Sequence, residues 1–150
     1  MFVEPLGGWR DVRVTATKTA VDWAHQVRRL VDDPRYAGAE RIALVCDNLV
    51  THDFASLYKA FGPAEALRVA RRLELAPTPK HGSWLNVAEM ELSVLTRQCL
   101  GRRIALQEEV AEEAGAWGGA RNAKQVGVDW QFTTEDARVK LKQLYPKIIE

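Results

Sequence analysis

A chain of 150 residues, 47% hydrophobic and 27% charged, is long enough to bury one core and ordinary in composition for a globular protein. Its net charge of +1 does not by itself announce a nucleic-acid partner. No apolar run approaches the roughly 18 residues of a membrane span, and Met1-Phe2-Val3-Glu4-Pro5 lacks the basic-then-apolar order of a signal peptide, so the expectation is a cytoplasmic protein with no membrane partner. Cys46 and Cys99 sit in apolar periodic segments with neither a Cys-x-x-Cys pairing nor a zinc-like His spacing, and read as small buried hydrophobes. Charge is unevenly spread. Residues 1–104 carry 15 basic and 12 acidic groups, and residues 105–150 carry 6 and 8, so the basic excess is local.

In chain order, Phe2-Val3-Glu4 reads as a strand end, Pro5 to Gly8 as a turn, and Val12 to Thr15 as the second strand of a hairpin with Trp9 at its edge. Thr19 and Asp22 have capping-box spacing. The helix they open carries Ala20, Ala24, Val27 and Val31 on one face and stops at Asp33-Pro34. Ile42 to Cys46 is a continuous apolar run, suited to a strand buried on both faces in an α/β sheet. It ends in Asp47-Asn48. A short helix follows with Phe54, Leu57, Tyr58 and Phe61. Pro63 opens another, with Ala64, Leu67 and Ala70 on one face. Leu73 to Leu75 is a short strand, and Pro77 and Pro79 forbid helix directly after it.

The next helix is predicted from Trp84 or Leu85, with Ser83 or Asn86 fixing its start. Its apolar positions are Leu85, Ala88, Leu92, Leu95 and Cys99, and it ends at Gly101. A further helix carries Leu106, Val110 and Trp117 opposite an acidic face, and Gly118-Gly119 should interrupt or fray it. Val128 to Phe132 alternates as an extended segment. Thr133 and Asp136 cap a last helix through Ala137, Leu141 and Leu144, broken by Pro146. Trp23, Trp84, Trp117 and Trp130 are expected in core or rim packing. There is no internal repeat and no linker.

Two positions carry candidate chemistry. Asp47 closes a buried strand, where open α/β sheets bind ligands, although a turn-capping role fits the spacing equally. Glu89 and Glu91 lie about 80° to either side of the apolar stripe of their helix, counted in 100° steps, and geometry does not choose between them. Convergent carboxylates would hold Mg²⁺ or Mn²⁺ and support two-metal chemistry at a phosphodiester. Asn48 and His52 could orient such a site or contact phosphate. Lys80 and His81 could contact a DNA backbone. Arg97, Arg102 and Arg103 form either a basic patch for nonspecific phosphate contact or a solvated helix end.

Asp47-Asn48-Leu49-Val50-Thr51-His52 and His81-Gly82-Ser83-Trp84-Leu85-Asn86-Val87-Ala88-Glu89 resemble the second and third catalytic blocks of mariner-like bacterial insertion-sequence transposases of the DDE superfamily. Phe2 to Arg10 and Asp129 to Thr134 are also similar to parts of that subgroup. The resemblance implies an α/β fold: an RNase H-like mixed sheet flanked by helices, with a helical C-terminal tail. It implies metal-dependent DNA strand cleavage and transfer, with Asp47 and Glu89 as metal ligands, since Glu89 follows Asn86 as the family's glutamate does. Neither Glu4 nor Asp11 matches the family's first catalytic aspartate. The expectation is therefore a partial catalytic domain over residues 1–104, missing its first strand, with residues 105–150 as a helical extension. Its partners would be transposon ends, target DNA, a second copy of the chain, and an upstream transposase fragment supplying the missing aspartate. The alternative is a non-catalytic remnant that binds DNA or self-associates.

Overall fold

The computed structural model describes residues 1–79, 86–129 and 133–140. The chain forms two compact units, Thr15–Thr78 and Met1–Val14 with Pro79–Glu150. The architecture is α/β, with small sheets and helices. Among the described residues the strands form two two-stranded sheets, where the resemblance implies one mixed sheet.

In the unit Thr15–Thr78, helix α1 (Ala20–Val31) starts in the predicted capping box. Thr19 Oγ1 accepts from the Asp22 N–H at 3.2 Å, and the Asp22 carboxylate accepts from the Thr19 N–H at 2.7 Å. Hydrogen bonds from Thr17 and Thr19 hold the Asp22 carboxyl below its usual range. Helix α2 (Ala55–Ala60) and helix α3 (Pro63–Arg71) follow strand β3 (Ile42–Cys46), and Pro63 takes the first helical position after Gly62. The buried side chains here include Ala24, Val27, Leu30, Leu57, Ala66, Val69 and Leu73. The buried face of α3 is thus Ala66 and Val69, and the predicted Leu67 is 42% exposed. Helices α1 and α2 and strand β4 (Leu73–Pro77) are what α3 packs on, and they meet that rotated face.

Strands β3 and β4 pair in parallel, from Ile42 opposite Leu73 to Cys46 opposite Pro77. The prediction that β3 is buried on both faces does not hold. Ile42 and Leu44 are half-buried and Cys46 is buried, whereas Ala43 and Val45 between them are exposed, Val45 by 54%. Only β4 pairs with β3 among the described residues, and with one face covered the side chains follow the twofold alternation of a half-covered sheet.

In the other unit, β1 (Phe2–Glu4) and β2 (Trp9–Asp11) form the predicted hairpin, but the second strand lies earlier than Val12–Thr15 and contains Trp9. Gly8 fixes where the turn closes. Its φ is +64°, and an added Cβ would come within 2.6 Å of the Gln125 backbone, so both conformation and space require glycine. Helix α4 (Val87–Gln98) is capped by Asn86, whose Oδ1 accepts from the Ala88 N–H at 3.2 Å. Helix α5 (Gln107–Ala123) runs unbroken through Gly118-Gly119, contrary to expectation. Gly118 is buried, and a Cβ there would stand 3.6 Å from Val12, so packing against the hairpin segment offsets the poor helix propensity. Leu95, Ala114 and Trp117 form the core, bordered by Val12, Val14, Val94 and Leu100. Helix α6 (Thr134–Lys140) follows the predicted Thr133–Asp136 box, with reciprocal contacts of 3.1 and 2.9 Å. The predictions for Trp84, Leu85, Trp130 to Phe132, Leu141, Leu144 and Pro146 lie outside the described residues.

An ion-pair network locks this unit. Glu91, 5% exposed, receives Arg10 Nε at 3.1 Å and Arg121 at 2.8 Å. Arg10, 2% exposed, also donates to the carbonyls of Gly8 at 3.1 Å and Val126 at 2.5 Å. The Asn122 side chain closes the arrangement: its Oδ1 accepts from the Arg10 N–H and its Nδ2 donates to the Arg10 carbonyl, both at 2.8 Å. Burial and the like charge of Arg121 lower the pKa of the Arg10 guanidinium, and Glu91 opposes the shift. Arginine stays charged regardless, so the energetic weight falls on keeping Glu91 paired. Removing one partner of such a group strands a buried charge. Glu91→Ala is expected to destabilise the protein by about 3–5 kcal/mol in urea melts, while Glu89→Ala, at an exposed position of the same helix, leaves the midpoint near the parent's.

Candidate functional site

Asp47 follows the last residue of β3, where the parallel pair opens into a loop. Its Oδ1 lies 2.5 Å from His52 Nδ1, with both side chains about a quarter to a third exposed (32% and 23%). The His52 ring stacks on Trp23 of α1, centroids 5.6 Å apart at 27°. The loop between them is tied at several points. The His52 N–H donates to Leu49 O at 2.8 Å, Ser56 Oγ donates to Thr51 O at 2.8 Å, and Asn48 Nδ2 donates to Thr78 O at 2.6 Å. The Thr78 N–H in turn donates to Cys46 O at 2.8 Å, so the ends of β3 and β4 are held together where Asp47 emerges. Burial and the neighbouring Asp47 push the Cys46 thiol pKa up, which keeps that cysteine an inert packing group.

Glu89 is exposed in the first turn of α4. Glu91, its equal by helical position, is taken up by Arg10 and Arg121. The structure thereby separates two carboxylates that periodicity leaves equivalent. Asp47 belongs to the unit Thr15–Thr78 and Glu89 to the other. Lys80 and His81 lie outside the described residues.

Arg97, Arg102 and Arg103 are all exposed. Arg97 and Arg102 line an open pocket of about 560 Å³ together with Cys99, Glu113 and the edge of Trp117. Arg102 is ion-paired with Glu113, which the basic-patch expectation did not include. No ion pair within the described residues engages Arg97 or Arg103. Trp117 is fixed by Nε1 donating to Gln98 Oε1 at 2.7 Å and by Arg121 over its ring at 5.1 Å, so it is packing, as predicted. The Arg10–Glu91–Arg121 network was not found from the sequence. The available signal was Gln98 and Glu91 flanking Leu95 on one helical face, a polar-ended stripe that demands partners.

The oxygen donors of Asp47 and Glu89 suit a hard divalent cation. Among the described residues, no three His, Cys, Asp or Glu side chains gather as metal ligands. Asn48 is the joint that fixes Asp47's loop to β4. Asn48→Ala is expected to cost about 1 kcal/mol and to speed amide exchange at Thr78 over the parent, because the buried Thr78 loses the donor to its carbonyl.

No helix among the described residues is long and apolar enough to cross a membrane. No curated protein and no solved structure matches the chain. Residues 1–111 match the family described as DDE superfamily endonuclease, and that stretch contains the strand-end Asp47 with its His52 partner as well as the exposed Glu89 of α4. The chain belongs to the DDE superfamily endonucleases.

Proposed function

We propose that this chain is the catalytic-domain part of a mariner-like insertion-sequence transposase, acting on transposon ends and target DNA, with Asp47 and Glu89 as two carboxylates of a site for Mg²⁺ or Mn²⁺. The family match supports transposase-type DNA cleavage. The observation that favours these two residues is the division of labour on α4: Glu91 is consumed by two buried-side arginine contacts, and Glu89 stays exposed. Divalent cations bound there would activate an attacking hydroxyl and stabilise the leaving oxygen of a phosphodiester.

The chain's own residues do the positioning. His52 Nδ1 lies 2.5 Å from Asp47 Oδ1 and its ring stacks on Trp23, which gives the carboxylate a fixed neighbour. Arg97 and Arg103 have exposed guanidinium groups for nonspecific phosphate contact, whereas Arg102 would have to exchange Glu113 for phosphate. Asn48 tethers the loop through Thr78, and any contact it makes with DNA comes in addition. In this proposal Lys80 and His81 complete the backbone contacts, and the small sheets belong to an RNase H-like arrangement. A third carboxylate supplied by another polypeptide would complete the site, and a second copy of the chain would pair with this one. Without that carboxylate the 150-residue chain cleaves little or no DNA.

Metal-dependent DNA binding tests the proposal without requiring turnover. The intact chain is expected to retain duplex DNA more strongly in Mn²⁺ than in EDTA. Asp47→Ala and Glu89→Ala should each remove that increment. His52→Ala should raise the Mn²⁺ concentration needed by about tenfold, with His52→Asn, which restores a donor near Nδ1, recovering part of it. An increment that survives both carboxylate substitutions would defeat the assignment and favour a remnant that binds DNA without a metal site.

A further inference from the structure

The loop that joins Asp47 to His52 has an unusual tip. The His52 N–H to Leu49 O hydrogen bond closes a turn over Leu49–His52, with Val50 at its first corner. Turn corners usually carry Gly, Asn, Asp, Ser or Pro, residues that suit the backbone and face water well. Here the corner is a β-branched aliphatic, 92% exposed, beside Leu49 at 56%. Isolated exposed aliphatics are ordinary. This pair is different in two respects.

First, the tip is braced. Its base is held by the Asp47–His52 contact, by the His52–Trp23 stack, by Asn48 on the Thr78 carbonyl and by Ser56 on the Thr51 carbonyl. A fixed apolar projection loses little conformational entropy when it is buried against a partner. Second, it is placed beside the candidate site. Val50 is three residues from Asp47 and two from His52, so three residues of chain, at most about 10 Å, separate it from the carboxylate. Successive base pairs are about 3.4 Å apart along the duplex axis. A phosphodiester brought to Asp47 therefore puts neighbouring sugars and base steps within reach of Leu49 and Val50.

We infer that Leu49 and Val50 form a wedge that enters a base step of the DNA next to the phosphodiester held at Asp47. The chemistry fits: aliphatic side chains inserted between base steps unstack them and kink the duplex, and the sites that take them most readily are already flexible or mispaired. The wedge rests on the assignment of Asp47 to the metal site, and it adds a device for selecting deformable DNA that the two carboxylates do not provide.

The test uses the 150-residue chain, Mn²⁺, and duplexes carrying 2-aminopurine with or without a neighbouring mismatch. The intact chain should bind the mismatched duplex more tightly and raise 2-aminopurine fluorescence as the base unstacks. Leu49→Ser combined with Val50→Ser should weaken binding by about tenfold and abolish the fluorescence rise. Val21→Ser, at a 40% exposed site on α1, should change neither. Circular dichroism of each variant should match the parent, since the substituted side chains are exposed. If the double variant binds DNA with the parent's affinity and fluorescence, the wedge is wrong while the DNA-binding role stands. If it instead converts a dimer to a monomer in sedimentation without altering DNA binding, the tip is a contact between copies and the wedge is again overturned. If the intact chain binds no DNA at all, the wedge and the proposed function fall together.

Discussion

The unit that carries helix α4 depends on a buried carboxylate between two arginines. Glu91 is covered, and so is Arg10 on the opposing hairpin, with Arg121 reaching in from the end of α5. Taking these charges out of water is costly, and their mutual attraction offsets that cost only with good geometry and satisfied remaining donors. The Gly8 and Val126 carbonyls and Asn122 supply partners for Arg10, while the buried Nε of Arg121 has no hydrogen-bond partner among the described residues. The network joins a hairpin, the middle of α4 and the end of α5, three segments with little local tendency to find one another. Net stabilisation over an apolar substitute is not required for this to matter. A single arrangement that leaves no charge unpaired sets the rotation of α4 about its axis.

That rotation decides which acid of α4 faces solvent. With Glu91 turned inward, Glu89 is exposed in the first turn of α4 behind the Asn86 cap. A carboxylate near a helix N-terminus is favoured by the aligned backbone dipoles and is open to a cation. On the other unit, Asp47 is set by different means: the end of a parallel strand pair, a hydrogen-bonded loop and a histidine stacked on tryptophan. Asp47 emerges where a strand ends, and Glu89 stands in the first turn of a capped helix.

Much of this was legible in the residues. The Thr19–Asp22 and Thr133–Asp136 capping boxes, Pro63 at a helix start and the apolar run of β3 each carry a local cause, and each forms. The errors share another cause. Val12–Thr15 alternates well, yet Gly8 can close the turn only where it meets Gln125, over a hundred positions away. Gly118-Gly119 has poor helix propensity, yet α5 passes through because Gly118 packs near Val12. Ala66 and Val69 displace Leu67 on α3 because the neighbouring helices meet that face. Glu91 and Glu89 look equivalent on their helix because Arg10 and Arg121, which pair with Glu91, are distant in sequence. Tertiary contact, invisible to local pattern, decides all four cases. The metal-ligand assignment came from the block Trp84 to Glu89 and its resemblance, and the structure adds the reason Glu91 is unavailable.

The proposed function assigns Glu91 of α4 to the fold and Glu89, with Asp47, to a cation. Titration of Mn²⁺ into the folded chain, followed by the electron paramagnetic resonance of the free ion, tests it most directly. Glu89→Gln is predicted to weaken Mn²⁺ uptake by about tenfold or more with unchanged circular dichroism, and Asp47→Asn to do the same. Uptake in Glu89→Gln equal to that of the parent would contradict the account.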